Sequence, residues 1–254
     1  MAAPIALIQG ASRGLGLAFC KHILKNNQFA SVIATCRNPD GADELRGLIG
    51  QHPARLTMLK LNVNQEDDIR GAAEQVKEAF GRLDLLVNSS AMLHPSGKGE
   101  TSLRDVSAQG IVSTLTTNTV GPLVMAKYFS PLLQKGAGGF GQQPSEKAKQ
   151  HSGIIVNITA KVGSIGDNGL GGWYSYRMSK AALNMATRNL SIELGRSRPK
   201  YGGAPSHALD PYISPSKSAF LCLHLSVCTQ GQRPLKSTPC GTNMWFACLY
   251  IQVP

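Results

Sequence analysis

Short apolar runs alternate with amphipathic stretches through most of the chain. Residues 5–8, 31–35, 56–61, 83–87 and 154–158 are apolar or β-branched runs of strand length. Such runs, apolar on both faces, suit strands buried in a parallel sheet. Between them the apolar spacing changes to the helical period. Residues 14–24 predict a helix with Leu15, Ala18, Phe19 and Ile23 on one face. A second helix is predicted over 41–48. A third, over 66–80, turns Ile69, Ala72, Val76 and Phe80 inward. Residues 106–133 predict a long helix broken near Gly121-Pro122, and 179–194 predict another. Strands alternating with helices predict an α/β, Rossmann-type doubly wound parallel sheet with right-handed crossovers. The polar, glycine-rich stretch 135–153 reads as a mobile surface loop.

The alternation stops near residue 200. Residues 201–254 hold six of the 14 prolines, four of the six cysteines and one acid, Asp210. Residues 219–227 are apolar and fit a strand or a short helix, but no clear βαβ unit follows. The expected organisation is a dinucleotide-binding domain over 1–200 and an atypical, poorly ordered tail over 201–254. The sheet is expected to be incomplete after its fifth strand.

Bulk composition removes several classes of function. The formal net charge is +11, but the basic residues are scattered and aromatics are 6%, which gives no nucleic-acid-binding face. No apolar stretch reaches the roughly 18 residues of a membrane span, and no secretory leader is read at the start, so a cytoplasmic protein is expected. The cysteines form no CxxC pair and the histidines no HxxxH pair, so no metal is expected.

Two motifs carry chemistry. Gly10-Ala11-Ser12-Arg13-Gly14-Leu15-Gly16 lies between the first predicted strand and the first predicted helix. In that context glycines allow a tight turn and close approach of backbone to a pyrophosphate, and the helix start supplies amide donors. Dinucleotide folds often carry an acid near the end of the second strand to bind ribose hydroxyls. Here that strand ends in Thr35-Cys36-Arg37, with no carboxylate. Arg37, flanked by Arg13, would accept a 2′-phosphate, which favours NADP over NAD.

The second motif is Tyr176-Arg177-Met178-Ser179-Lys180. Tyr176 and Lys180 are four residues apart and share a helix face. An ammonium beside a phenol, with a cationic nicotinamide, favours the phenolate. That tyrosine could exchange a proton with a substrate while a nicotinamide moves hydride.

With these motifs in this order, the chain resembles the short-chain dehydrogenases/reductases over about residues 4–200. The Thr35-Cys36-Arg37-Asn38 strand end and the Gly171-Gly172-Trp173-Tyr174-Ser175-Tyr176-Arg177 approach are most similar to the sniffer-type carbonyl reductases and the C-factor-like branch. The resemblance implies a small carbonyl or alcohol substrate and pairing of subunits through the two long central helices. Asn62-Val63 stands where the family's Asp-Val touches adenine. Asn88-Ser89-Ser90-Ala91 stands where an Asn-Asn-Ala-Gly element supports the cofactor. Asn118 matches the helix-kink asparagine that holds a relay water to the lysine. The family ends its fifth strand with Ser-Ser, the second being catalytic, and those places hold Thr159-Ala160 here. Ser164 or Thr159 must then supply the hydroxyl, and spacing favours Ser164. The expected function is NADP-dependent hydride transfer. The alternative is a truncated product of such an enzyme, able to bind nucleotide with little turnover.

Overall fold

The computed structural model of the chain describes residues 3–138, 140 and 153–195, and the backbone of residues 220–226. Strands β1 (Ile5–Gln9), β2 (Ser31–Cys36), β3 (Leu56–Lys60), β4 (Leu85–Asn88), β5 (Gly153–Thr159) and β6 (Phe220–Ser226) form one sheet in the order β3-β2-β1-β4-β5-β6. All pairings are parallel. Helices α1 (Gly14–Asn26), α2 (Asp43–Gln51), α3 (Glu66–Phe80), α4 (Ala108–Leu115), α5 (Gly121–Leu133) and α6 (Tyr174–Gly195) connect them. This is the doubly wound α/β fold the alternation predicted.

The core lies in two layers. β1 sends Ala6 and Ile8 to one face of the sheet, where they meet Leu17, Cys20, Ile23, Leu24, Leu45 and Leu48 from α1 and α2. It sends Ile5 and Leu7 to the other, against Ile69, Ala72, Val76, Met125 and Phe129 from α3 and α5. Successive residues of a strand point to opposite faces, so four apolar residues in a row serve both layers.

Three expectations are corrected. On α1 the buried face is Gly16, Leu17, Cys20, Ile23 and Leu24, while Leu15 and Ala18 are exposed. A Cβ on Gly16 would stand 2.2 Å from the Gly10 carbonyl oxygen. The helix therefore turns its smallest residue to the β1 turn and rotates Leu15 outward. α6 begins at Tyr174, five residues before the predicted start, because its first turn is held by another part of the chain. The sheet also continues past β5. β6 pairs with β5 over its full length, from Gly153↔Phe220 to Thr159↔Ser226. It comes from the apolar run at 219–227, which fitted a strand or a short helix. The rest of the 201–254 tail lies outside the described residues, as does most of the 135–153 loop.

The order β2-β1-β4 reverses the winding direction between β1 and β4. Open parallel sheets bind ligands beyond the carboxyl ends of the strands at such a reversal. No helix among the described residues is long and apolar enough to cross a membrane.

Candidate active site

A cleft of about 940 Å³ opens at that reversal. Gly10, Ser12, Arg13, Gly14 and Leu15 line one wall, Arg37 and Asn38 the next, and Val63, Ser90, Met92 and His94 the floor and far side. Gly10 and Gly14 have φ of 81° and 59°, a region costly for other residues. A Cβ on Gly14 would meet nothing within 4 Å, so that glycine faces open space, whereas Gly16 is jammed against the Gly10 carbonyl. α1 has no side-chain cap and no acid in its first turn. Its leading amides are left for an anion, which the helix dipole also favours.

Arg13 and Arg37 are exposed on the cleft and form no ion pair among the described residues. The two cleft carboxylates are already engaged: Asp43 pairs with Arg46, and Glu44 with Lys21 at 3.4 Å. The uncompensated charge on this side of the cleft is therefore positive.

Of the other predicted cofactor residues, Val63 lines the cleft, but Gly16, Asn62, Asn88, Tyr176 and Lys180 are not among its lining residues. Asn62 accepts the Asn64 amide on its side-chain oxygen at 3.2 Å. Asn88 donates to Asn157 Oδ1 at 2.8 Å, and Asn157 donates to Thr187 Oγ1 at 2.9 Å. This buried ladder ties β4 and β5 to α6. The reading missed the partnership of Gln9 with Ser90. Gln9 Nε2 donates to Ser90 Oγ at 2.6 Å, and the Ser90 amide donates back to Gln9 Oε1 at 3.1 Å. The two side chains thus satisfy each other under the cleft.

Tyr176 and Lys180 come together as the spacing requires, with Lys180 Nζ 5.6 Å from the Tyr176 ring centroid. Lys180 is 1% exposed and donates to the Ile158 carbonyl at 2.8 Å. Burial pushes the Lys180 ammonium down to about 8. Burial also raises Tyr176 above the ordinary phenol value. In the protein without its cofactor, desolvation therefore sets the phenol's direction, and the lowering expected from Lys180 together with a cationic nicotinamide is not seen.

Asn118 sits in a π-helical turn, Thr116–Val120, between α4 and α5. The turn lies just before the predicted break. Gly121 follows it because a Cβ there would stand 2.5 Å from Val63 Cγ2. Asn118 Oδ1 accepts the Met92 amide at 2.7 Å, and Nδ2 donates to the Met92 carbonyl at 2.7 Å and Ser179 Oγ at 2.9 Å. Ser179 Oγ donates to the Tyr176 carbonyl at 2.8 Å. Through Met92, which lines the cleft, Asn118 joins the tyrosine helix to the cofactor wall.

The two hydroxyl candidates differ. Thr159 is 3% exposed and donates to Asn184 Oδ1 at 2.6 Å, so its proton is committed. Ser164 is exposed, and its oxygen accepts the Asp167 amide at 3.3 Å, leaving its proton free to donate. Ser164 follows Gly163, whose Cβ would fall 2.8 Å from Lys180 Cβ, so the segment lies against α6. No contact between either hydroxyl and Tyr176 is recorded among the described residues. Arg177 is occupied, donating to the Gly171, Gly172 and Val162 carbonyls.

Lys180 makes a testable thermodynamic point. Its folded value of about 8 lies below the ordinary 10.5. The unfolded chain therefore binds more protons between those values, and stability rises with pH across that window. Below pH 8 the buried charge costs up to about 3 kcal/mol. Lys180→Met removes the cost but orphans the Ile158 carbonyl. The variant should be more stable than wild type at pH 7 by about 1–2 kcal/mol, with the gap closing as pH climbs from 8 to 10.5. Denaturant titration of both proteins at pH 7 and 10 measures it. A gap that does not change with pH would show that Lys180 is charged throughout.

Comparison with known proteins sets this geometry in context. A family model described as short chain dehydrogenase matches residues 4–198. An uncharacterised oxidoreductase of Schizosaccharomyces pombe is 31% identical over 190 residues, covering 75% of this chain and 67% of the relative. The NADPH-bound carbonyl reductase from chicken fatty liver is similar in structure, with a TM-score of 0.69 and 31% identity over 89% of this chain and 79% of that one. The carbonyl reductase Sniffer of Drosophila melanogaster has a TM-score of 0.67 and 32% identity, covering 76% of each chain.

Proposed function

The chain belongs to the short-chain dehydrogenase family, and on that premise we propose that it is an NADP-dependent carbonyl reductase. One observation carries the reading: the Tyr176–Lys180–Asn118 cluster is joined through Met92 to a cleft whose uncompensated charges are Arg13 and Arg37. The similarity to an NADPH-bound carbonyl reductase supports the cofactor and the substrate class.

The residues fit such a cofactor. The open Gly14 turn and the uncapped start of α1 would hold the pyrophosphate, with Ser12 and Leu15 beside it. Arg13 and Arg37 would hold the 2′-phosphate, and Val63 would pack beside the adenine. Bound there, the nicotinamide would supply the hydride. Tyr176 Oη delivers a proton to the carbonyl oxygen, and its raised value keeps that proton in place through neutral pH. Lys180 holds positive charge beside the resulting phenolate. Asn118 fixes the helix that carries both. Ser164 Oγ donates to the carbonyl oxygen and orients it. Exposed Val112, Val120 and Leu123 on the helical run 108–133 support pairing of two copies there.

The test is NADPH consumption by the purified chain with a small aromatic aldehyde. Carbonyl-dependent consumption is expected. Binding of NADPH without consumption would overturn the reading in favour of a nucleotide binder. In the same assay Ser164→Ala should lower turnover by about 10²-fold, as loss of an oxyanion donor does. Thr159→Ala should act less, since that hydroxyl is spent on Asn184. The reverse order would move the role to the strand end.

A further inference from the structure

The turn before α6 is built in an unusual way. Gly171, Gly172 and Trp173 are three consecutive residues in the left-handed region, with φ of 66°, 63° and 50°. For a tryptophan that backbone is strained, and such strain persists only where surroundings enforce it. The enforcement comes from Glu100, in the segment between β4 and α4. The Trp173 amide donates to the Glu100 carbonyl at 2.6 Å. Glu100 Oε1 accepts the Ser175 amide at 3.2 Å and also the Ser175 hydroxyl. Glu100 is 3% exposed and Ser175 is fully buried.

Burial alone would raise the Glu100 carboxyl, but the Ser175 bonds, with the charge of His94, hold it below its usual value. A buried carboxylate thus caps the first turn of α6, where the helix dipole favours negative charge. Gly99 completes the fit, since a Cβ there would stand 2.5 Å from Trp173 Cδ1. So held, the Trp173 ring meets the Tyr176 ring edge-on, with centroids 6.3 Å apart and planes at 76°.

We propose that Glu100 is a positioning residue for the reaction: by clamping Trp173 and Ser175 it fixes where the Tyr176 phenol stands. This deepens the reductase reading and rests on it. The carboxylate touches neither substrate nor cofactor in this role. It acts through the turn, and small displacements of a reacting group can cost large factors in rate.

The experiment compares Glu100→Ala and Glu100→Gln, both made on Trp245→Phe. The chain has two tryptophans, so that background leaves Trp173 as the reporter. Glutamine keeps an oxygen for both Ser175 donors; alanine keeps none. Glu100→Ala should lower kcat by about tenfold or more while leaving NADPH affinity within about twofold of wild type. Its Trp173 emission should shift to the red and become more open to quenching by acrylamide. Glu100→Gln should restore kcat to within about threefold and restore the emission. Equal emission in the Trp245→Phe parent and its Glu100→Ala variant would overturn the proposal, as would a kcat unchanged by Glu100→Ala. A wild type without turnover would refute the reductase reading, and the emission arm would still decide whether Glu100 holds Trp173.

Discussion

Tyr176→Phe should lower NADPH-dependent carbonyl reduction by about 10²–10⁴-fold, with NADPH affinity left within about twofold. Phenylalanine keeps the ring, so the edge contact with Trp173 and the packing beside Lys180 survive. Only the hydroxyl is lost. Among the described residues, the other members of the cluster are engaged elsewhere. The Lys180 ammonium is bonded to the Ile158 carbonyl, the Thr159 proton is spent on Asn184, and Asn118 is committed to Met92 and Ser179. Single-turnover measurements with saturating NADPH would isolate the step. Persistence of most of the rate in this variant would place the proton donor elsewhere.

The second large effect concerns the choice between NADPH and NADH. The wild type should bind NADPH about 10²-fold more tightly, because two guanidinium groups facing one phosphate make charge-assisted bonds worth roughly 1.5 kcal/mol or more each. Arg37→Asp should abolish that preference and weaken NADPH binding by about 10²-fold, with NADH little changed. The acids at the start of α2 do not compete, since Asp43 and Glu44 have cationic partners. Raising salt should narrow the difference, as both arginines are solvent-exposed. Fluorescence titration of the two cofactors against wild type and variant provides the measurement. Equal affinities in the wild type would refute the assignment of the arginines.

The parts of the molecule that follow local rules could be read from the chain. Largely apolar runs marked five strands because most of a parallel sheet is covered on both faces. Glycines marked the β1 turn because left-handed backbone leaves little choice, as at Gly10 and Gly14. The Tyr176–Lys180 pairing follows from helix geometry alone. What escaped the reading depends on partners distant in sequence. The buried face of α1 was misjudged because Gly10, not hydrophobicity, decides how Gly16 sits. The start of α6 was placed late because its cap is Glu100, 75 residues from Ser175. Ser90 stands out as a departure until Gln9, 81 residues away, is seen to pair with it. Ser164 was found by spacing, but that it keeps a free proton while Thr159 does not emerges only once Asn184 is in place.

The Asn88–Asn157–Thr187 ladder also bears on how the chain avoids folding wrongly. Asn88 lies directly across from Asn157 in the β4–β5 pairing. Sliding β5 by one residue would set Val156 or Ile158 against Asn88 and turn every β5 side chain to the opposite layer. A uniform run such as Ile154-Ile155-Val156 offers little hydrophobic resistance to that slip, since its neighbours are nearly interchangeable. The amides do resist. Each buried amide left without its partner costs about 1–3 kcal/mol, so a slipped sheet carries two such costs. Two polar side chains facing each other across a pair of oily strands thus act as a key that admits one alignment. Asn157→Val should loosen the lock more than it weakens the native state.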